Sequence, residues 1–184
     1  MTAVSLIYAG IVVALVKVRA DLPGLPRPWL VAYLAAWLVG FGLPLGLAVV
    51  PARGAMMPRT NLAAAVATVA AVGFLVLGLL WAKSGPDSHV GGLRSASACL
   101  SLGLVAALFP IVLGTMMLRG AAPVGSRLTA AALGASAGSL GGLVLHLHCP
   151  IADRIHVGIV HGSVVAIAAV LTAALASGAL RPRR

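Results

Sequence analysis

The side chains that could do chemistry are concentrated near the C-terminus, between positions 146 and 161. This stretch holds four of the five histidines and one of the two cysteines. The candidates are His146, His148, Cys149, His156 and His161, with Cys99 further upstream. Cys thiolate and His imidazole are ligands for zinc and copper, and thiolate also suits softer ions such as cadmium. The sequence therefore offers enough donors for a four-coordinate metal site, although the spacing is not that of a zinc finger.

The two histidines furthest along the chain, His156 and His161, are five positions apart. That spacing is about 140° around an α-helix, so we expect the two imidazoles not to share a helix face. His161 lies more than one turn into the last apolar stretch, where a polar residue marks a functional site by default. The alternative is a structural imidazole hydrogen-bonded to a carbonyl or a serine of a neighbouring helix.

Cys149 precedes Pro150 in a short polar loop, and the imidazoles beside it favour the thiolate. Three interpretations follow: a redox or metal sensor, a structural disulfide with Cys99, or no role. Cys99 on its own is a small core residue, but its predicted position on the same membrane face as Cys149 makes it a sensing partner. An enzyme is not expected, because the chain has three acidic residues and no nucleophile–base–acid set.

The elements that position these side chains are predicted to be membrane helices. The chain has 184 residues, of which 61% are hydrophobic and 9% charged, against about 25% charged in a soluble domain. Six spans of about 20 residues account for the length. We predict an all-α membrane protein, a single six-transmembrane-helix bundle over residues 1–184, with spans at about 3–18, 29–50, 61–81, 93–118, 128–146 and 155–180.

The fifth span carries Gly134, Gly138 and Gly142 at intervals of four residues. Small residues at this spacing let a second helix approach closely, which is how helices associate in lipid. The alternative is chance, since the chain contains 22 glycines.

The net charge of +10 comes from basic residues in short loops that flank the spans, and not from a nucleic-acid-binding run. Seven of them fall on the side of the two termini: Arg53, Arg59, Arg119, Arg127, Arg181, Arg183 and Arg184. The other side carries six, so the positive-inside rule does not orient the protein.

The segment Leu147-His148-Cys149-Pro150, a basic C-terminal end, and Cys99 near the start of the fourth span resemble the NrsF-like membrane anti-sigma factors. The resemblance implies a six-span protein of the bacterial inner membrane that holds an extracytoplasmic-function sigma factor inactive. Both termini would be cytoplasmic, the arginines named above would form the partner surface, and both cysteines would face the periplasm. Heavy metals or oxidants acting on Cys99 and Cys149 would then release the sigma factor.

Two features depart from the family pattern. The family usually has a cytoplasmic segment before the first span, whereas here Met1 opens directly into it, so either the start is trimmed or loops and tail hold the sigma factor. Ala152, His156 and His161 stand where acidic or aromatic residues are expected, which favours a metal-tuned sensor with no required cofactor and a transient zinc, cadmium or copper ion. The alternatives are a small metal transporter or buffer, for which the spans offer few polar groups besides His161, and a structural subunit of a membrane complex.

Overall fold

Helices account for nearly all of the chain that the computed structural model describes, residues 1–49, 60–81, 92–119, 126–151 and 153–180. The helices are α1 (Thr2–Val16), α2 (Arg27–Val49), α3 (Thr60–Trp81), α4 (Leu93–Met117), α5 (Ser126–His148) and α6 (Gly162–Leu175). A 3-10 turn, Leu22–Gly24, precedes α2, and a π-helix, His156–His161, leads directly into α6. The predicted all-helical class is confirmed.

Four helical segments are long and apolar enough to cross a membrane: Arg27–Ala48, Leu93–Met117, Arg127–His148 and His156–Leu175. Two further apolar helices, Thr2–Val16 and Ala65–Leu80, are shorter. Large aliphatic side chains cover the outer surface of the helices; Leu15 is 77% exposed and Leu80 is 72% exposed. Apolar surface on this scale requires a lipid or protein neighbour. The composition and the helices thus agree on a membrane protein, and a bundle of six spans stays a prediction.

Helix α5 lies at the centre of the bundle and packs against each of the other five helices. It consists mainly of Ala, Gly, Ser and Leu. Of its apolar stretch, 78% is buried inside the bundle, whereas the buried share is 22–44% in the other three long segments. Its buried serines are paired with backbone: Ser136 Oγ donates to the Phe41 carbonyl at 2.6 Å and Ser139 Oγ to the Ala135 carbonyl at 2.9 Å. Small residues, with the serine hydroxyls bonded to backbone carbonyls, let this helix be surrounded on all sides.

The glycines of α5 contact two different helices. A Cβ added to Gly134 or Gly138 would collide with the backbone of α6, so these two glycines set the distance between α5 and α6. A Cβ added to Gly142 would collide with the indole ring of Trp37 on α2. The small-residue face predicted from the sequence is therefore used, but it is shared between α6 and α2.

Successive helices run in alternating directions, so the end of one helix lies beside the start of the next. The residues at the two ends of the bundle differ in their chemistry. At one end, hereafter the cysteine end, the end of α1 meets the end of α5, and the Arg19 amide donates to the Leu147 carbonyl at 2.9 Å. At the opposite end the side chains of Arg119 and Arg127 are exposed. The other arginines of the predicted partner surface lie outside the described residues: Arg53, Arg59, Arg181, Arg183 and Arg184.

Candidate functional site

Four potential ligands converge at the cysteine end from three separate elements. Cys99 comes from the second turn of α4, Cys149 follows the last residue of α5, and His156 and His161 come from the π-helix. Their ligand atoms all lie within 4.8 Å of one another. The Cys99 thiol donates to Cys149 Sγ at 3.6 Å, and Cys149 Sγ lies 3.5 Å from His156 Nε2. Both cysteines are free thiols in this structure.

The π-helix explains why His156 and His161 point to the same place. Their spacing predicts different faces, because five residues of α-helix turn through about 500°, or 140° net. In a π-helix the backbone hydrogen bond runs from i to i+5, so a residue five positions on lies roughly one full turn further along the same side. The expectation was therefore wrong: His156 and His161 form an edge-on pair with ring centroids 5.2 Å apart.

Tertiary contacts explain where the π-helix lies. Gly158, in its middle, is pressed against Gly78 of α3 so closely that a Cβ on Gly78 would collide with the Gly158 backbone. Gly162, one turn later, lies beside the backbone of α3 as well. At the start, the Asp153 carboxylate accepts a hydrogen bond from the His156 amide at 2.9 Å, which satisfies a free N–H of the first turn. Gly158 and Gly162 have the same four-residue spacing as the glycines of α5, and that spacing was the signal in the sequence for this contact with α3.

His161 is completely buried, yet neither of its ring nitrogens has a hydrogen-bond partner among the described residues. No carbonyl or serine among the described residues bonds to His161, so the structural alternative finds no support there. A buried imidazole without a partner costs about 1–3 kcal/mol, and such a group in a native protein calls for a specific explanation. The nearest candidates for interaction are the other three members of the cluster.

The surroundings of Cys149 favour its thiolate. The residue is 2% exposed. The Cys99 thiol that donates to its sulfur lowers the pKa of Cys149, and the imidazoles of His156 and His161 act in the same direction, whereas burial opposes them. A thiolate is the nucleophilic and metal-binding form of cysteine. The imidazoles near the thiol are thus those of the π-helix, and not the sequence neighbours His146 and His148.

His146 belongs to an aromatic stack and not to the four-residue cluster. Its ring is buried and lies parallel to the Tyr33 ring, with centroids 4.7 Å apart and an 8° angle between planes. The Trp29 ring contacts it as well, at a tilt of 42° and with centroids 5.0 Å apart. Rings in these positions contribute packing. The predicted ligand or modulator role is therefore not supported by its position.

His148 faces the connection between α1 and α2. Its Nδ1 lies 2.9 Å from the Lys17 carbonyl, and Lys17 adopts a φ of 68°, a backbone conformation unfavourable for a residue with a side chain. Like His146, His148 is absent from the group of ligand atoms within 4.8 Å. It holds the end of α1 against the end of α5.

Arg19 strengthens that attachment and was overlooked in the sequence. Its side chain is 1% exposed, forms two 2.7 Å hydrogen bonds with the Asp21 carboxylate, and donates to the Pro150 carbonyl at 3.1 Å. The Arg19 guanidinium lowers the pKa of the Asp21 carboxyl. We name this set of contacts, from Arg19 to Asp21 and Pro150, the Arg19 strap. The available signal was an arginine two positions before one of only three acidic residues.

Comparison with known proteins gives one match. The model of the NrsF family, described as negative regulator of sigma F, matches residues 1–181. No curated protein matches the chain, and no solved structure matches it. The family resemblance carried by Cys99 and the Leu147–Pro150 segment is thereby confirmed over nearly the whole chain.

Proposed function

Because the chain belongs to the NrsF family of negative regulators of sigma F, we propose that it is an anti-sigma factor of the bacterial inner membrane. It holds an extracytoplasmic-function sigma factor inactive and releases it when thiol-reactive stress reaches Cys99 and Cys149. The observation that carries the sensing part is the 3.6 Å separation of the two sulfurs, which belong to different elements. In this proposal the six helices form one membrane domain, the cysteine end faces the periplasm, and both termini are cytoplasmic.

The proposed chemistry with a peroxide is a two-electron oxidation. The Cys149 thiolate attacks the peroxide, which gives a sulfenic acid and releases water after protonation. The Cys99 thiol then attacks this sulfur, a second water leaves, and a disulfide joins the two residues. A soft heavy-metal ion would instead bind both sulfurs. Either product fixes the start of α4 to the end of α5.

The proposed route to the sigma factor runs through α5. This helix touches every other helix, and its contacts at Gly134, Gly138 and Gly142 leave no room for even one added carbon atom. Tightly packed interfaces switch between discrete arrangements and do not deform continuously. A displacement at the cysteine end would therefore reach the opposite end, where Arg119 and Arg127 are exposed and form part of the proposed partner surface.

The test is affinity purification of the tagged protein from its native membranes, before and after treatment with cadmium or peroxide, followed by mass spectrometry. We expect a sigma factor to accompany the untreated protein and to be lost after treatment. The matched control is a Cys99→Ser/Cys149→Ser double variant, which should keep the sigma factor under both conditions. A double variant that still releases it fully would contradict the sensing role. Absence of any sigma factor from the untreated protein, while a control complex survives, would contradict the regulator itself.

A further inference from the structure

We propose that Cys99, Cys149, His156 and His161 bind one divalent cation of the zinc class in a tetrahedral site. The cation would join α4, the end of α5 and the π-helix. The inference deepens the proposed function, since it gives the sensing thiols a ligand and adds two imidazoles to the sensor. It rests on geometry at the cysteine end and can be measured without a sigma factor.

The distances between ligand atoms match a tetrahedral site. With zinc–sulfur bonds of about 2.3 Å and zinc–nitrogen bonds of about 2.0–2.1 Å, tetrahedral geometry separates the ligand atoms by roughly 3.4–3.8 Å. The two sulfurs are 3.6 Å apart, and Cys149 Sγ is 3.5 Å from His156 Nε2. All four ligand atoms lie within 4.8 Å of one another. Two edges of the tetrahedron are thus already at bonding separation, and a small inward movement completes the others.

Charge and burial also fit such an ion. Two thiolates and two neutral imidazoles balance a divalent cation, so the filled site is neutral, as a buried site requires. Cys149, His156 and His161 are buried, while Cys99 is partly exposed and leaves an approach from outside. A cation would give a ring nitrogen of His161 the partner that the described residues do not provide. A sensor that used the two sulfurs alone would leave that nitrogen unsatisfied.

The backbone supports the same conclusion. An α-helix over the same residues would turn His161 about 140° away from His156. The π-helix brings both imidazoles to the sulfurs, and π-helical turns are frequent at functional sites. The other two histidines of this end are otherwise engaged, His146 in its stack with Tyr33 and His148 at the Lys17 carbonyl.

The experiment is an anaerobic titration of the full chain, purified in detergent and kept reduced with a phosphine, with Co²⁺ as the spectroscopic probe. We expect one Co²⁺ per chain, with the visible bands of a tetrahedral thiolate-bound ion, displaced stoichiometrically by Zn²⁺. His156→Ala and His161→Asn should each weaken binding by more than the roughly 10- to 100-fold that loss of an outer-shell partner costs. His148→Asn, at the same end of the bundle but outside the cluster, is the control and should bind as the parent does.

A second measurement protects the result if the His161 variant does not fold. X-ray absorption of the zinc-loaded parent should show two sulfur neighbours at about 2.3 Å and two nitrogen neighbours at about 2.0–2.1 Å. Two sulfurs with no imidazole, or unchanged binding in folded His156 and His161 variants, would overturn the four-ligand site. Failure of the reduced parent, with both thiols free by titration, to bind Co²⁺ would overturn it as well and would leave the sigma factor proposal untouched. Intact metal binding with no sigma factor in the purification would contradict only the regulator.

Discussion

The two pairs of histidines at the cysteine end have opposite relations to Cys149. His146 and His148 are its neighbours in sequence, but one packs against aromatic rings and the other faces the Lys17 carbonyl. His156 and His161 lie seven and twelve positions away, yet their ligand atoms fall within 4.8 Å of its sulfur. Residues two apart on a helix point about 200° apart, so a helix cannot present both His146 and His148 to one site. Proximity in sequence is therefore a poor guide to which imidazoles act on the thiol.

The largest effect is expected from a change in the spacing between His156 and His161 in the π-helix. Insertion of one alanine after Ile159 increases the separation of the two imidazoles to six positions, which neither an α-helix nor a π-helix places on one side. We expect Co²⁺ binding to fall by more than tenfold and release of the sigma factor to be lost, as measured by titration and by copurification.

The matched control for the insertion is removal of Ile159, whose side chain is 50% exposed. Removal leaves His156 and His161 four positions apart, and an ordinary α-helix places that spacing on one face. We expect Co²⁺ binding to stay within about tenfold of the parent, since the helix no longer needs a π-helical turn. If the shortened protein folds but loses the metal, the π-helix has a role beyond bringing the imidazoles together.

A second prediction concerns the support of the π-helix by α3. Gly78→Ala places a methyl group against the Gly158 backbone, so we expect a loss of about 1–3 kcal/mol in the free energy of unfolding from overpacking. For a chain of this size, that loss lowers the thermal midpoint by several degrees. Gly73→Ala on the same helix is the control, because a Cβ there meets nothing within 4 Å. Equal midpoints for the two variants would show that the contact of Gly78 with Gly158 does not position the π-helix.

A third prediction concerns His146, near the end of α5. His146→Phe keeps a flat ring against Trp29 and Tyr33 and removes two nitrogens that have no hydrogen-bond partner among the described residues. Replacing an unsatisfied buried polar group with an apolar one of similar shape is close to neutral. We expect Co²⁺ affinity to change less than about threefold and the thermal midpoint to stay or rise slightly. A loss of metal binding as large as that in His161→Asn would show that His146 is a metal ligand after all.

The smallest expected effect belongs to the Arg19 strap. Asp21→Asn removes an ion pair whose carboxylate is half exposed, so we expect a loss of at most about 1 kcal/mol. The folded pKa of Asp21 lies below the ordinary value of an aspartate, so its stabilising contribution is present above that ordinary value and is lost as the pH falls through the lower folded pKa. The difference in thermal midpoint between the parent and Asp21→Asn should therefore shrink in acid. A difference that grows in acid would contradict this linkage.

Several features followed from residues considered in order along the chain. Hydrophobic composition predicted helices, and the four-residue spacing of Gly134, Gly138 and Gly142 indicated a close helix contact, because both properties repeat within a few residues. Counting spans placed Cys99 and Cys149 at one end of the bundle, and their sulfurs are 3.6 Å apart. The sequence did not show which helix packs against each glycine, since Gly142 contacts Trp37 of α2 and not α6.

Only the tertiary structure decided which imidazoles join the sulfurs. A helix of ordinary pitch separates His156 from His161, and the π-helical turn that unites them is supported by Gly78, 80 positions before Gly158. The burial of Arg19 against the Pro150 carbonyl likewise joins residues 131 positions apart. Composition and short-range spacing are local properties, so the sequence by itself determined the apolar helices, the glycine face and the cysteine pair. The π-helix and its ligand set depend on long-range packing, which no local pattern encodes.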